Sequence, residues 1–150
     1  MLCNQQIIEA IKTRLIGNTS ALANVVSDRL FPLTKETLPA IRIYELHDEI
    51  EQMTVHWPQL EQHDTAVGLE VCAQSVSGID EALSALRLEV LGELFDTLPH
   101  ATLGFVNVEL AYRGCGPMQP IESADTQIAQ RTLQLSARFS AFANAPETFV

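Results

Sequence analysis

The spacing of apolar residues changes period several times along the chain, and each change marks an element. Ile7, Ile8, Ile11 and Leu15 recur at helical spacing and share one side, while Gln5, Glu9, Lys12 and Thr13 lie elsewhere. The pattern predicts an amphipathic helix over 4–16, with Asn4 as its N-cap and Gly17-Asn18 as its stop. Residues 20–31 read as a loose helical turn running into an extended stretch. Pro32 and Pro39 bracket a connector, because each restricts its own φ and the residue before it. The period then drops to two. Ala40 to Leu46 predicts one strand, and Ala66 to Val76 a second, with Val67, Leu69, Val71 and Ala73 on one face. Between them, 47–64 is polar and rich in carboxylates and amides, too long for a tight turn, and is expected to form a long hairpin arm that is mobile in a monomer.

Ser77-Gly78 ends the second strand, and helical spacing returns over 80–96, with Asp80 as the expected cap. Ile79, Ala82, Leu83, Leu86, Val90 and Leu94 form its main apolar stripe. Leu88, Leu91 and Phe95 form a second arc, facing either the first helix or a neighbouring subunit. Pro99 follows the helix; a third strand is expected over Leu103–Tyr112, then a Gly/Pro loop through Gly114, Gly116, Pro117 and Pro120. The last strand, Arg131–Ala141, alternates Leu133, Leu135, Ala137 and Phe139 with polar residues. The order helix, two strands, helix, two strands predicts an α+β fold. Its expected architecture is a single antiparallel-rich, mixed sheet of about four main strands, covered by two helices, over one domain spanning 1–150.

Composition narrows the function. Apolar residues make up 47% of the 150 positions and charged ones 19%, the balance of a folded domain able to bury a core. The formal net charge of −10 argues against binding a phosphate backbone, which requires clustered Lys and Arg. No apolar run reaches the ~20 residues of a membrane span, and charges at Glu9 and Lys12 interrupt any secretory signal. Three cysteines without a CxxC pair point to a reduced setting.

Candidate chemistry is sparse. His47, His56 and His63 fall in the polar arm among Asp48, Glu49, Glu51, Glu61 and Asp64, but without an HxH, HExxH or CxxC spacing to make ligands converge. The plainer reading is a solvated arm. Cys115 in its Gly-Cys-Gly-Pro turn lacks a histidine close in sequence, although His100 could approach through the fold. Cys72, between Glu70 and Gln74, reads as a packing residue. The residues thus predict no catalytic, cofactor-binding or metal site. Protein contact explains two features better. Met53, Val55 and Trp57 are apolar within an otherwise polar arm, the composition of an interface anchor, unless the arm folds back and Trp57 packs on its own sheet. With Leu88, Leu91 and Phe95 they make up the candidate subunit interface. Two rivals remain: a small-molecule or peptide-binding α+β domain using the 114–120 loop as a pocket, and a metal-dependent enzyme built on the histidines.

Taken with this layout, several segments carry a family likeness. They are Leu38-Pro39-Ala40-Ile41-Arg42-Ile43-Tyr44, the acidic insertion and the Val67–Ala73 strand, and the helix with Leu86-Arg87-Leu88-Glu89-Val90-Leu91. The closing segment runs from Gln127-Ile128-Ala129-Gln130 into Arg131-Thr132-Leu133-Gln134-Leu135-Ser136-Ala137-Arg138-Phe139. In these features the chain resembles the tail terminators, or minor tail proteins of the U type, of long-tailed bacteriophages and prophages. The resemblance implies a non-enzymatic α+β subunit without a cofactor. Such a subunit assembles with itself into a hexameric ring that caps the tail tube, ends its polymerisation and meets the head–tail connector protein. It also implies a place in the virion tail, with the host cytoplasm before assembly, and no membrane or sequence-specific nucleic-acid partner.

Overall fold

A computed structural model describes residues 1–34, 36–95, 100, 101, 103–105, 107–123 and 127–150. The elements follow in the order α1 (Cys3–Leu15), β1 (Val25–Val26), β2 (Ala40–Gln52), β3 (Leu60–Ser75), α2 (Ile79–Leu94), β4 (His100–Ala101), β5 (Glu109–Cys115), β6 (Gln119–Ser123), β7 (Gln127–Phe142) and β8 (Ala145–Phe149). The fold is α+β, with two helices and one mixed sheet among the described residues. That sheet has eight strands where the sequence suggests about four. The four expected strands correspond to β2, β3, β5 and β7; the additional ones are too short, or too interrupted by Pro120 and Pro146, to show a period of two. Strand order is β1-β2-β3-β7-β5-β4, with β6 and β8 also on β7, and β1 runs parallel to β2.

The middle of the sheet is the β3–β7 ladder, in antiparallel register from Leu60↔Phe142 to Ser75↔Gln127. Side chains alternate across it. Val67, Leu69, Val71, Leu133 and Leu135 are fully buried on the face that meets the helices. Against them lie Ile7, Ile11 and Leu15 from α1 and Leu83, Leu86 and Val90 from α2. The helix ends differ from expectation. Leu2 precedes α1, and Asn4 lies inside it, its Nδ2 donating to Glu45 Oε2 at 2.7 Å. Gly78 caps α2 with φ of +84°, a left-handed conformation that glycine adopts without penalty, leaving Asp80 and Glu81 in the first turn. Pro99, expected after this helix, lies outside the described residues. So does part of the expected third strand, whose regular portion starts only at Glu109 because Leu103 and Gly104 form a turn.

The opposite face is not left to water. Leu38, Ala40, Cys72 and Ile128 form a second buried cluster beneath Phe31 and Leu33 of the connector. Beside it Glu70, only 4% exposed, accepts from Arg42 Nε at 2.7 Å and from the Tyr44 hydroxyl at 2.7 Å. Arg42 also reaches the carbonyl of Phe31 (3.2 Å) and Gln130 Oε1 (2.9 Å), so one guanidinium ties the connector to three strands' worth of sheet. Tyr44 lies across Gly68: a Cβ there would sit 2.7 Å from Tyr44 Cε2, which is why β3 carries a glycine at its centre.

Removing one partner of a buried pair leaves the other charge uncompensated. Arg42→Met is therefore expected to cost ~3–5 kcal/mol in urea denaturation, and Arg42→Met with Glu70→Leu to recover most of that loss. Two groups here also hold their protons. Burial pushes the Cys72 thiol up to about 12 from 9.0. Burial, then the bond to Glu70, pushes the Tyr44 hydroxyl up to about 12 from 10.0. Both favour the protonated form in the folded state, so the stability they contribute is full below pH 9.0 and falls as pH rises through 9.0 to about 12. Tyr44→Phe should flatten the part of that decline above pH 10.0, read by denaturation at successive pH values.

Candidate functional site

The polar arm is a continuation of the sheet. Strands β2 and β3 stay paired from Ala40↔Cys72 out to Gln52↔Glu61, with a single bulge between Glu45 and His47. On its other side β3 remains paired with β7 to the end, so most of the arm is three strands wide. Only residues 53–59 lie outside the strands. That tip is held by Met53 N donating to Leu60 O (2.8 Å), Leu60 N to Thr54 Oγ1 (2.9 Å) and Ala143 N to Gln59 O (2.9 Å).

Apolar side chains concentrate where the ladder stops. Met53 is 53%, Val55 87% and Trp57 72% exposed, so Trp57 does not pack back on its own sheet. An isolated exposed apolar residue is ordinary, but here three lie within five residues of one tip. The candidate residues on α2 separate. Leu91 and Phe95 pack against the main core, whereas Leu88 is 69% exposed. At 3.6 residues per turn, Leu88 lies about 160° around the helix from the buried Val90. Phe95 follows the last helical turn, where the backbone leaves helical angles, and its ring turns inward. The exposed apolar residues of the arm tip and the exposed Leu88 thus lie on separate elements, and the second arc is not one surface.

His63 departs from the solvated arm expected of it. It is 8% exposed and stacks on Phe139 with centroids 4.7 Å apart, while Phe139 meets Phe149 edge-on at 5.4 Å. Its Nδ1 lies 2.8 Å from Asp48 Oδ2, and Asp48 Oδ1 accepts from Thr65 Oγ1 at 2.9 Å. On the far side of the ring, Nε2 is 3.3 Å from Glu61 Oε2, within ion-pair range but without hydrogen-bond geometry. The two carboxylates face opposite ring nitrogens and diverge, which is unsuited to a shared metal ion. Among the described residues no group of three or more His, Cys, Asp or Glu is placed to hold one. The signal for this burial lies in the strand: His63 and Thr65 share parity with Val67 and Leu69, so the inward face begins earlier than its apolar residues suggest.

The outward face of the arm carries Asp64, whose Oδ1 accepts from Ser136 Oγ at 2.5 Å and Oδ2 from Arg138 Nε at 3.2 Å. Partial burial pushes its carboxyl up, but the bonds from Ser136 and Arg138, with the charges of Arg138 and Arg113, outweigh it and hold the group below its usual value. Of the cysteines, Cys3 and Cys72 are buried and Cys115 is half-buried; the side chain of His100, its suggested partner, lies outside the described residues. No described helix is long and apolar enough to cross a membrane.

Hydrogen exchange on the dilute chain tests this view of the arm. Amides of Gln62 to Thr65, in a strand paired on both edges, should exchange slowly, and those of residues 54–57 fast. Fast exchange through 61–65 would show that the arm is a loop in solution.

A comparison with known family models gives no match, and neither does a comparison with curated proteins.

Proposed function

We propose that the chain is a structural subunit of a bacteriophage or prophage tail, forming a ring that caps the tail tube and presents a surface to the head–tail connector. The observation that supports it most is the projecting tip with Met53, Val55 and Trp57 exposed at the end of a braced three-strand arm. A closed ring of identical subunits needs a head-to-tail contact between two different patches. The tip supplies one, and the outer side of α2 at Leu88 lies elsewhere on the molecule as a candidate for the other. Interface energy concentrates in buried aromatic anchors rimmed by polar groups, and Trp57 near the exposed Glu51 fits that anatomy. Glu61, also in the arm, faces His63 instead of this rim. A net charge of −10 also suits a ring that DNA must traverse without adhering, since like charges disfavour phosphate contacts.

Light scattering and native mass measurement over a concentration series, with and without isolated tail tubes, test the reading. The expected result is a closed oligomer, alone or at tube ends. Trp57→Ala should weaken its formation by about 30-fold, equivalent to ~2 kcal/mol, with the monomer's melting temperature nearly unchanged. An oligomer indifferent to Trp57→Ala, or a chain monomeric at every concentration and with tubes added, would overturn it.

A further inference from the structure

Among the described residues, the outer edge of the arm presents unpaired backbone. Direction along β2 is fixed at its two ends. Ile41 N donates away from β3, to Asn24 O at 2.9 Å, whereas Met53 N donates toward β3, to Leu60 O at 2.8 Å. Backbone groups alternate sides along an antiparallel strand, and the bulge between Glu45 and His47 shifts the parity once. The N–H and C=O groups of Asp48, Ile50 and Gln52 therefore aim away from β3. Strand β1 pairs only at Ile41 and Arg42, so among the described residues no strand covers that edge beyond them.

We propose that the edge of β2 from Asp48 to Gln52 accepts an extended, basic segment of another protein as an added antiparallel strand. An open edge supplies main-chain hydrogen bonds to any extended chain, and side chains on alternate positions set which chain fits. Here one face of the edge carries Glu49, with its side chain 78% exposed, and the exposed Glu51. The other carries Ile50, 54% exposed. The matching strand has Lys or Arg on one face and an apolar residue on the other. Pairing of the same edge with a second copy would bring these carboxylates against each other in a chain already at −10. The charges that repel a copy attract a basic strand. This proposal is independent of the ring, because it uses the arm's edge and not its tip.

The probe is a capped seven-residue peptide alternating lysine and valine, with an alternating glutamate and valine peptide as control, added to the full chain at low salt. The lysine peptide should slow amide exchange at Asp48, Ile50 and Gln52, and the control should not. Ile50→Pro removes one outward N–H and leaves every bond to β3 in place, so it should weaken the interaction about tenfold with the fold retained by circular dichroism. Glu49→Lys with Glu51→Lys should reverse the preference toward the glutamate peptide, which keeps the proposal testable if the proline variant misfolds. Protection spread evenly over the acidic surface, or insensitive to Ile50→Pro, would overturn the strand-addition geometry. Protection of the same amides by self-association without peptide would show that a second copy is the occupant, and so would sink the proposal.

Discussion

The long antiparallel pairing of β3 with β7 is the constraint on which the other elements depend. It runs without a register break from Leu60↔Phe142 to Ser75↔Gln127. A one-residue slip of β3 would turn Val67 and Leu69 away from the helices and bring Glu70 toward them, and a slip of β7 would do the same with Leu133, Leu135 and Gln134. Everything else attaches to this pair: β2 on one side, β5, β6 and β8 along the other, and both helices on one face.

Because the pair lies at the centre of the sheet, both of its faces must be satisfied. The helices cover one with aliphatic side chains. The connector covers part of the other, and there the polar residues of the alternation are sequestered together with Cys72. Glu70 tolerates burial only because Arg42 and Tyr44 supply three donor contacts between them. Gly68 in turn gives Tyr44 room to lie flat across the strand and reach that carboxylate. A compact polar group thus fixes the connector's path, which apolar contacts from Phe31 and Leu33 alone would leave less specific.

Extension of the same ladder beyond the helices produces the arm. Beyond Ala66 the inward face exchanges aliphatics for His63, Thr65 and Asp48, sealed by Phe139 and Phe149. Hydrogen bonding replaces hydrophobic packing there, so the strands hold their geometry with few apolar residues. At its end the arm turns over a short tip whose apolar side chains stay exposed among the described residues. A strand-braced support carrying an exposed apolar tip and, among the described residues, an unpaired edge is suited to making contacts with other chains.

Local periodicity by itself determined the two helices, their buried stripes, the four principal strands and the α+β class. Ile7, Ile11 and Leu15, or Leu133 and Leu135, can be placed from spacing because helix and strand periods are properties of adjacent residues. The apolar character of Met53, Val55 and Trp57 was equally legible, and their isolation from the core was not. The arm read as a solvated, mobile hairpin because its inward positions are polar: His63 and Asp48 are held through bonds to residues distant in sequence, a partnership that hydropathy does not encode. Asn4 was misplaced as a cap for a related reason, since its partner is Glu45. The second arc of α2 divided because only the packed position of the helix decides that Leu91 and Phe95 reach the core while Leu88 faces outward. The short strands β1, β4, β6 and β8 are defined by the neighbours they pair with and carry too few residues to show a period. What the tertiary structure alone decided was which polar groups meet, because a hydrogen bond depends on distance in space and the sequence records only distance along the chain.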